Sequence, residues 1–210
     1  MKRKPPGVER FDDRLSRVYS TTENKEQQYD EWVGTYESDL VNDLDYVAHK
    51  EASNIFSDVV HDKSSKILDV ACGTGLVGEY LQSLGYLNLH GVDFSRNMIE
   101  ISRARNIYQS IWQHDFTMPA IQEGQYDALI CVGLFSYTIP KISDMHNVVN
   151  CVVPGGYCVI KVNGSAWTDL DLESKVLAES TLHNFTMEQI VETGYIKKEG
   201  INAKVLVIKR

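Results

Sequence analysis

The chain has 210 residues, 43 % of them hydrophobic and 24 % charged, and a formal charge of −8 from 29 acids and 21 bases. That length suffices for one domain whose core needs no staples, and the composition excludes a collagen, a low-complexity tail or a disulfide miniprotein. No apolar run reaches the ~20 residues of a membrane-spanning helix, and the acidic balance argues against nucleic acid as the main partner, because phosphate binding needs a cationic face.

Residues 1–10, MKRKPPGVER, are basic and interrupted by Pro5, Pro6 and Gly7. With no apolar stretch after them, they read as a disordered tail and not as a secretory leader. A cytoplasmic monomer with no membrane partner is expected. From residue 11 to 62 the pattern is helical and tyrosine-rich and holds no strand. Leu40, Leu44, Val47 and Ala48 share one helical face, which continues to Ile55, Phe56 and Val59.

After His61 the texture changes. KILDVA, 66–71, predicts a first strand, and a helix follows from Gly75 to Leu84, stopped by Gly85. A second strand runs from Leu87 to Asp93, and Ser95 caps a helix bearing Met98, Ile99 and Ile101. Ser110 to Phe116 is a third strand and YDALICV, 126–132, a fourth, buried on both faces. A helix is predicted over 142–151, a turn at Pro154-Gly155-Gly156 and a fifth strand over 157–162. Helices are then predicted near 170–182 and 186–193, with two last strands, 195–201 and 203–208, separated by little more than Asn202. Alternating strands and helices mean an α/β fold with a parallel sheet. The last two strands are too close for a crossover and must form an antiparallel hairpin. Cys72, Cys131, Cys151 and Cys158 show no metal-ligand spacing and read as buried thiols. No metal is expected.

Ala71-Cys72-Gly73-Thr74-Gly75 sits where a strand turns into a helix. Small residues let the backbone approach a ligand, and free N–H groups at a helix start favour a polar or anionic group. Gly73, Gly75 and Gly78 spell G-x-G-x-x-G, with Asp93 twenty residues beyond Gly73, which is also the dinucleotide fingerprint. The surroundings decide. Asp69 lies in an otherwise apolar strand, while Asp93 and Asp115 end the second and third strands. Three carboxylates at neighbouring strand ends would repel a pyrophosphate; a nucleoside carrying a cationic group suits them better.

KILDVACGTG, GVDFSRNM, HDF and YDALICVGLFSY resemble, in order and spacing, the successive motifs of class I S-adenosylmethionine-dependent methyltransferases. The terminal hairpin resembles the reversed seventh strand of that seven-stranded, Rossmann-like fold. The phrases YDEWVGTYESDL and LDYVAHKEA further resemble the methyltransferase-like proteins of the Williams–Beuren syndrome chromosomal region. The resemblance divides the chain into a tail (1–10), a helical arm or lid (11–62) and a methyltransferase domain (63–210). It implies S-adenosyl-L-methionine as cofactor. Gly73 and Gly75 would pass under its methionine part, with backbone contacts from Ala71 and Cys72. Asp69 would brace the turn, Asp93 would accept from both ribose hydroxyls, and Phe94 and Met98 would pack on the adenine. Asp115 would accept from the adenine amino group beside the Phe116 backbone, and Val132 and Gly133 would line the path to the sulfonium. Ala71 stands where many class I enzymes carry glycine, and alanine suits that place if φ is negative.

Tyr29, Trp32 and Tyr36 form one helical face. Either it docks on the sheet edge, or, as the resemblance implies, the arm covers the cofactor with Trp32 or Tyr36 in the pocket wall. Tyr137 is a candidate contact for the methyl acceptor. His114 is expected on the opposite strand face from Asp115, and His146 and His183 on the surface. No catalytic base can be named. The acceptor, a small molecule or a protein, is unidentified. A cofactor-binding pseudoenzyme and an NAD-dependent oxidoreductase are the alternatives.

Overall fold

The computed structural model describes residues 12–20, 25–120 and 122–210. The basic tail, 1–10, lies outside them. The chain forms α1 (Asp13–Ser20), α2 (Lys25–Trp32), a π-helical stretch (Ser38–Asp43) and α3 (Ala48–Val59) before the first strand. Then come β1 (Ile67–Val70), α4 (Leu76–Ser83), β2 (Leu89–Asp93), α5 (Arg96–Ala104), β3 (Ser110–Gln113) and β4 (Tyr126–Val132). A 3-10 turn (Ile142–Asp144) leads into α6 (Met145–Val149), followed by β5 (Val152–Asn163), α7 (Gly164–Asp169), α8 (Leu172–His183), β6 (Thr186–Ile196) and β7 (Ile201–Lys209).

The strands make one sheet in the order β3-β2-β1-β4-β5-β7-β6. β1 to β5 pair in parallel, and β7 runs antiparallel to both β5 and β6. The expected sheet, parallel except for its C-terminal strand, is therefore observed. β1 and β4 are central and apolar, and every residue of β1 is buried. Buried apolar side chains fill both faces. Strand order reverses between β1 and β4, and ligands of open α/β sheets bind beyond the strand carboxyl ends at such a point.

Four local expectations need correction. Thr186–Thr193 is strand, not helix. It pairs along β7 as the sheet edge, and two register irregularities, at Met187/Gln189 and Gly194/Ile196, break the two-residue alternation that would have marked it. The hairpin turn falls at residues 197–200, not at Asn202, with Gly200 N–H bonded to Lys197 O at 3.0 Å. Pro154–Gly156 is no separate turn but an irregularity within β5, where pairing with β4 jumps from Val152 to Tyr157. The helix expected over 142–151 is a 3-10 turn followed by the short α6.

The helices before β1 are of two kinds. In α3, Ala48, Ala52 and Phe56 are fully buried, and the helix packs on β4, β5, β6 and α4. It belongs to the layer covering the sheet. No residue of α2 is buried. It is tied to the body by Tyr29 and Trp32, which pack against the core, and by two polar contacts, Ser95 Oγ to Asp30 at 2.9 Å and Gln113 Nε2 to Glu26 at 3.1 Å. A Glu37–Arg105 ion pair anchors the segment just after it.

Candidate active site

The turn after β1 is the floor of the site. Gly75 caps α4 at φ +100°, and Gly73 sits at φ +52°. Ala71 has φ +58°, so the condition under which alanine suits that place, a negative φ, is not met. An L-residue in that conformation costs roughly 1–2 kcal/mol, and the turn imposes it. Gly78 has another purpose: a Cβ there would lie 2.3 Å from Tyr108 Oη. Its absence admits the Tyr108 ring, whose hydroxyl donates to Asp69 Oδ2. Burial lifts the Asp69 carboxyl to about 7 against that bond. Asp69 is thereby tied to Tyr108, while its Oδ1 is buried without a hydrogen-bond partner.

Asp93, at the end of β2, is 5 % exposed. Its Oδ2 accepts from Gly73 N–H at 2.8 Å and its Oδ1 from Ser95 N–H at 2.9 Å. Burial raises the carboxyl to about 6, opposed by the N–H groups of Ser95, Gly73 and Phe94. Each oxygen keeps acceptor capacity beyond its one N–H bond. Ser95 caps α5 as expected, accepting from Met98 N–H at 3.2 Å.

A cavity of about 510 Å³ opens over these strand ends. Ten predicted residues line it: Ala71, Gly73, Asp93, Phe94, Met98, Asp115, Phe116 and Val132 from the body, and Trp32 and Tyr36 from the arm; Gly133 lies beside Val132. Asp69, Cys72 and Gly75 are not among the lining residues. Cys72 is buried behind the turn, and a Cβ on Gly75 would face Ser102 Oγ at 2.9 Å. Tyr137 also lies off the lining, bonded to Asp169.

His114 does line the cavity, contrary to expectation. β3 ends at Gln113, so strand alternation no longer governs the next residue. Its ring stands edge-on to Phe116 at 4.8 Å, and Nε2 is buried without a hydrogen-bond partner. Tyr29 shares the wall with Trp32 and Tyr36, its partners on the predicted face, but nothing in the sequence signalled that Tyr19, Tyr46 and Tyr195 join them. They come from distant segments; only the abundance of tyrosine in the arm hinted at it. Tyr29 stands edge-on to Phe94 at 5.7 Å and to Tyr36 at 6.2 Å, and Trp32 meets Tyr36 at 4.9 Å. Lys25 reaches the same wall, its ammonium lowered to about 8 by burial.

An acid with spare acceptor capacity, a backbone cradle, an unpartnered imidazole nitrogen and an aromatic cover fit a nucleoside with hydroxyl and amino groups. Residues 67–156 match the family described as "Methyltransferase domain". Over that stretch the chain is similar to methyltransferase domains. The similarity implies S-adenosylmethionine as cofactor. Methyltransferase-like protein 27 of Homo sapiens is 38 % identical over 115 residues, covering 51 % of this chain and 45 % of that protein. The chain spans about half the length of the curated relatives it matches. Among solved structures, an S-adenosylmethionine-dependent methyltransferase from Mesorhizobium loti superposes with a TM-score of 0.60 at 15 % identity, covering 80 % of this chain and all of that one. The cyclase SpnF superposes with a TM-score of 0.66 at 12 % identity, covering 90 % and 97 %. These likenesses fix the fold.

Proposed function

We propose that the protein transfers a methyl group from S-adenosylmethionine to a small acceptor enclosed with it in the aromatic cavity. The observation that carries this reading is the joint lining of one cavity by Asp93, the Ala71–Gly73 turn and the arm's Trp32 and Tyr36. When bound, S-adenosylmethionine supplies an activated methyl group; the chain supplies position and exclusion of water. Asp93 takes the two ribose hydroxyls on its remaining lone pairs. Phe94 and Met98 pack on the adenine, and Asp115, already accepting from Thr117 N–H at 2.9 Å, takes the adenine amino group. Val132 and Gly133 flank the reacting end, where a Cβ on Gly133 would stand 3.6 Å from Tyr195 Oη. Residues 12–20 and 25–45 act as the lid. Their aromatic side chains cover the open end of the sheet and wall off solvent around the reacting atoms. A covered cavity of this size favours a small molecule over a protein side chain.

Calorimetry with S-adenosylhomocysteine, followed by a transfer screen with methyl-labelled cofactor over small hydroxyl and amine acceptors, tests the reading. Micromolar binding and labelled product support it; absence of binding overturns it. Binding without transfer favours a second reading, a cofactor-binding partner protein, for which the SpnF likeness is the relevant observation: this fold is found in a protein described by another activity.

A further inference from the structure

Away from the cavity, α6 and α8 bring together His146, Glu179 and His183, which can each offer one ligand atom, all within 4.8 Å of one another. None of the three lines the cavity. The sequence reading put both histidines on the surface; the structure half-buries them and stacks their rings at 4.1 Å with planes 9° apart. From these residues we infer a binding site for a divalent transition metal of the Zn²⁺ class, which ties α6 to α8.

Three observations carry it. The first is the pattern of α8. Its buried stripe begins at Leu172 and Val176 and continues, at the same helical spacing, to the half-buried Glu179 and His183. Leu177 and Leu182 meanwhile face solvent, 49 % and 73 % exposed. A helix selected only to pack would carry leucine on the inner stripe and polar residues outside. The second is Glu179 Oε2. It is buried and takes no hydrogen bond, although His183 Nε2 stands 3.3 Å away. An unsatisfied buried carboxylate oxygen is costly, and a cation between these groups would satisfy it. The third is the orientation of His146. Its Nδ1 is 2.8 Å from Ser143 O. A carbonyl only accepts, so Nδ1 carries the proton and Nε2 keeps its lone pair. That is the arrangement in which a metal-ligating imidazole is held by a backbone carbonyl.

Two imidazoles and one carboxylate suit Zn²⁺, with water completing the tetrahedron. Tetrahedral bonds of ~2.0–2.1 Å place ligand atoms about 3.3 Å apart. The set therefore closes through ring rotation and a shift of about an ångström, with the two rings leaving their stack. The segment this would hold follows directly on the Ser136–Pro140 loop, part of which lines the cavity. All four cysteines are buried and do not compete for the ion.

The test is Zn²⁺ titration of the full chain, stripped with chelator, by calorimetry and thermal melt, with Co²⁺ absorption reporting tetrahedral coordination. One equivalent should bind, raise the melting temperature and give the Co²⁺ visible band. His183→Ala and Glu179→Gln should each weaken binding at least tenfold and abolish the band, while His61→Asn, an exposed histidine elsewhere, should change neither. His146→Gln keeps a polar side chain of similar length; should His183→Ala fail to fold, it alone must reproduce the loss. No saturable binding to the parent chain, or equal binding in the His183 and His146 variants, overturns the site. S-adenosylhomocysteine binding is read separately, and its failure leaves this outcome unaffected.

Discussion

The floor and the roof of the cavity are built on opposite plans. The floor is backbone and buried acid: a turn with positive φ at Ala71, Gly73 and Gly75, bonded by Asp93, with Asp69 buried in the strand before it and bonded to Tyr108 in the loop before β3. It grows from strands buried on both faces, so it cannot shift without disturbing the sheet. The roof is aromatic side chain from several segments: α1 is anchored by the buried Leu15, Val18 and Tyr19, whereas α2 has no buried residue and is held by partly buried rings and a few polar contacts. Regions with little burial open at low free energy. Under the proposed function the floor would recognise the nucleoside and the roof would gate the cavity, and each role can be broken separately.

The largest effect is expected at Asp93. Two charge-assisted bonds to ribose hydroxyls, at ~1.5–3 kcal/mol each, make Asp93→Ala weaken S-adenosylhomocysteine binding at least about a hundredfold. The fold should survive, as judged by circular dichroism. Unchanged affinity would remove the ribose assignment.

The same carboxyl gives a pH signature. Its folded pKa of about 6 lies above the ordinary 3.8, so the folded chain holds this proton over a window, about 4 to 6, where the unfolded chain has lost it. The stability contributed by Asp93 therefore falls as pH rises through that window and is level above it. The difference in unfolding free energy between parent and Asp93→Asn should shrink accordingly. Ligand binding runs the other way. The ionised form is the better acceptor, so S-adenosylhomocysteine affinity should fall about tenfold for each pH unit below 6. Titration at pH 5 and 7 in matched ionic strength checks the direction.

The roof is tested by hydrogen exchange over residues 12–45, with and without S-adenosylhomocysteine. A ligand that binds the closed state better shifts the arm toward it, so protection should rise on binding. Trp32, half-buried with its Nε1 donating to Asp39 at 2.6 Å, contributes part of the ~1.5–3 kcal/mol of a fully buried large side chain. Trp32→Ala should weaken affinity about fivefold. Equal protection in both states, with Trp32→Ala lowering only the melting temperature, would make the arm a fixed part of the body.

The same contrast governs what was legible in the sequence. The floor is local: β1, the glycine spacing and Asp93 lie within 27 residues, from Ile67 to Asp93, and apolar strands bounded by small residues announce themselves. β4 was legible for the same reason. The roof is non-local. Tyr19, Tyr46 and Tyr195 meet in the cavity from three separate segments, and no periodicity encodes that meeting. His114 escaped because the rule that placed it assumed a strand that stops one residue earlier. β6 was misread because its irregularities hide the alternation, and because pairing to β7 outweighs the weak local preference of an edge segment.

The smallest effect sharpens the reading of the floor. Ala71 holds φ +58° in a turn that elsewhere uses glycine, and the left-handed conformation costs an L-residue roughly 1–2 kcal/mol. Ala71→Gly removes that cost. It also loosens the unfolded chain, which takes back about 0.4–1 kcal/mol. The net gain should be about 0.5–1 kcal/mol, a rise of about 1–4 °C in melting temperature for a chain of this size. The Ala71 methyl lies in the cavity lining, so the variant asks a second question of the same atom. If the methyl only tolerates its place, stability rises and S-adenosylhomocysteine affinity holds. If it packs on the ligand, affinity falls while the apo protein is stabilised, and the strain is one the turn keeps for binding. A loss of stability without ligand would mean that the methyl is supported by packing worth more than the strain, and the floor would then owe its rigidity to side chains as well as to backbone.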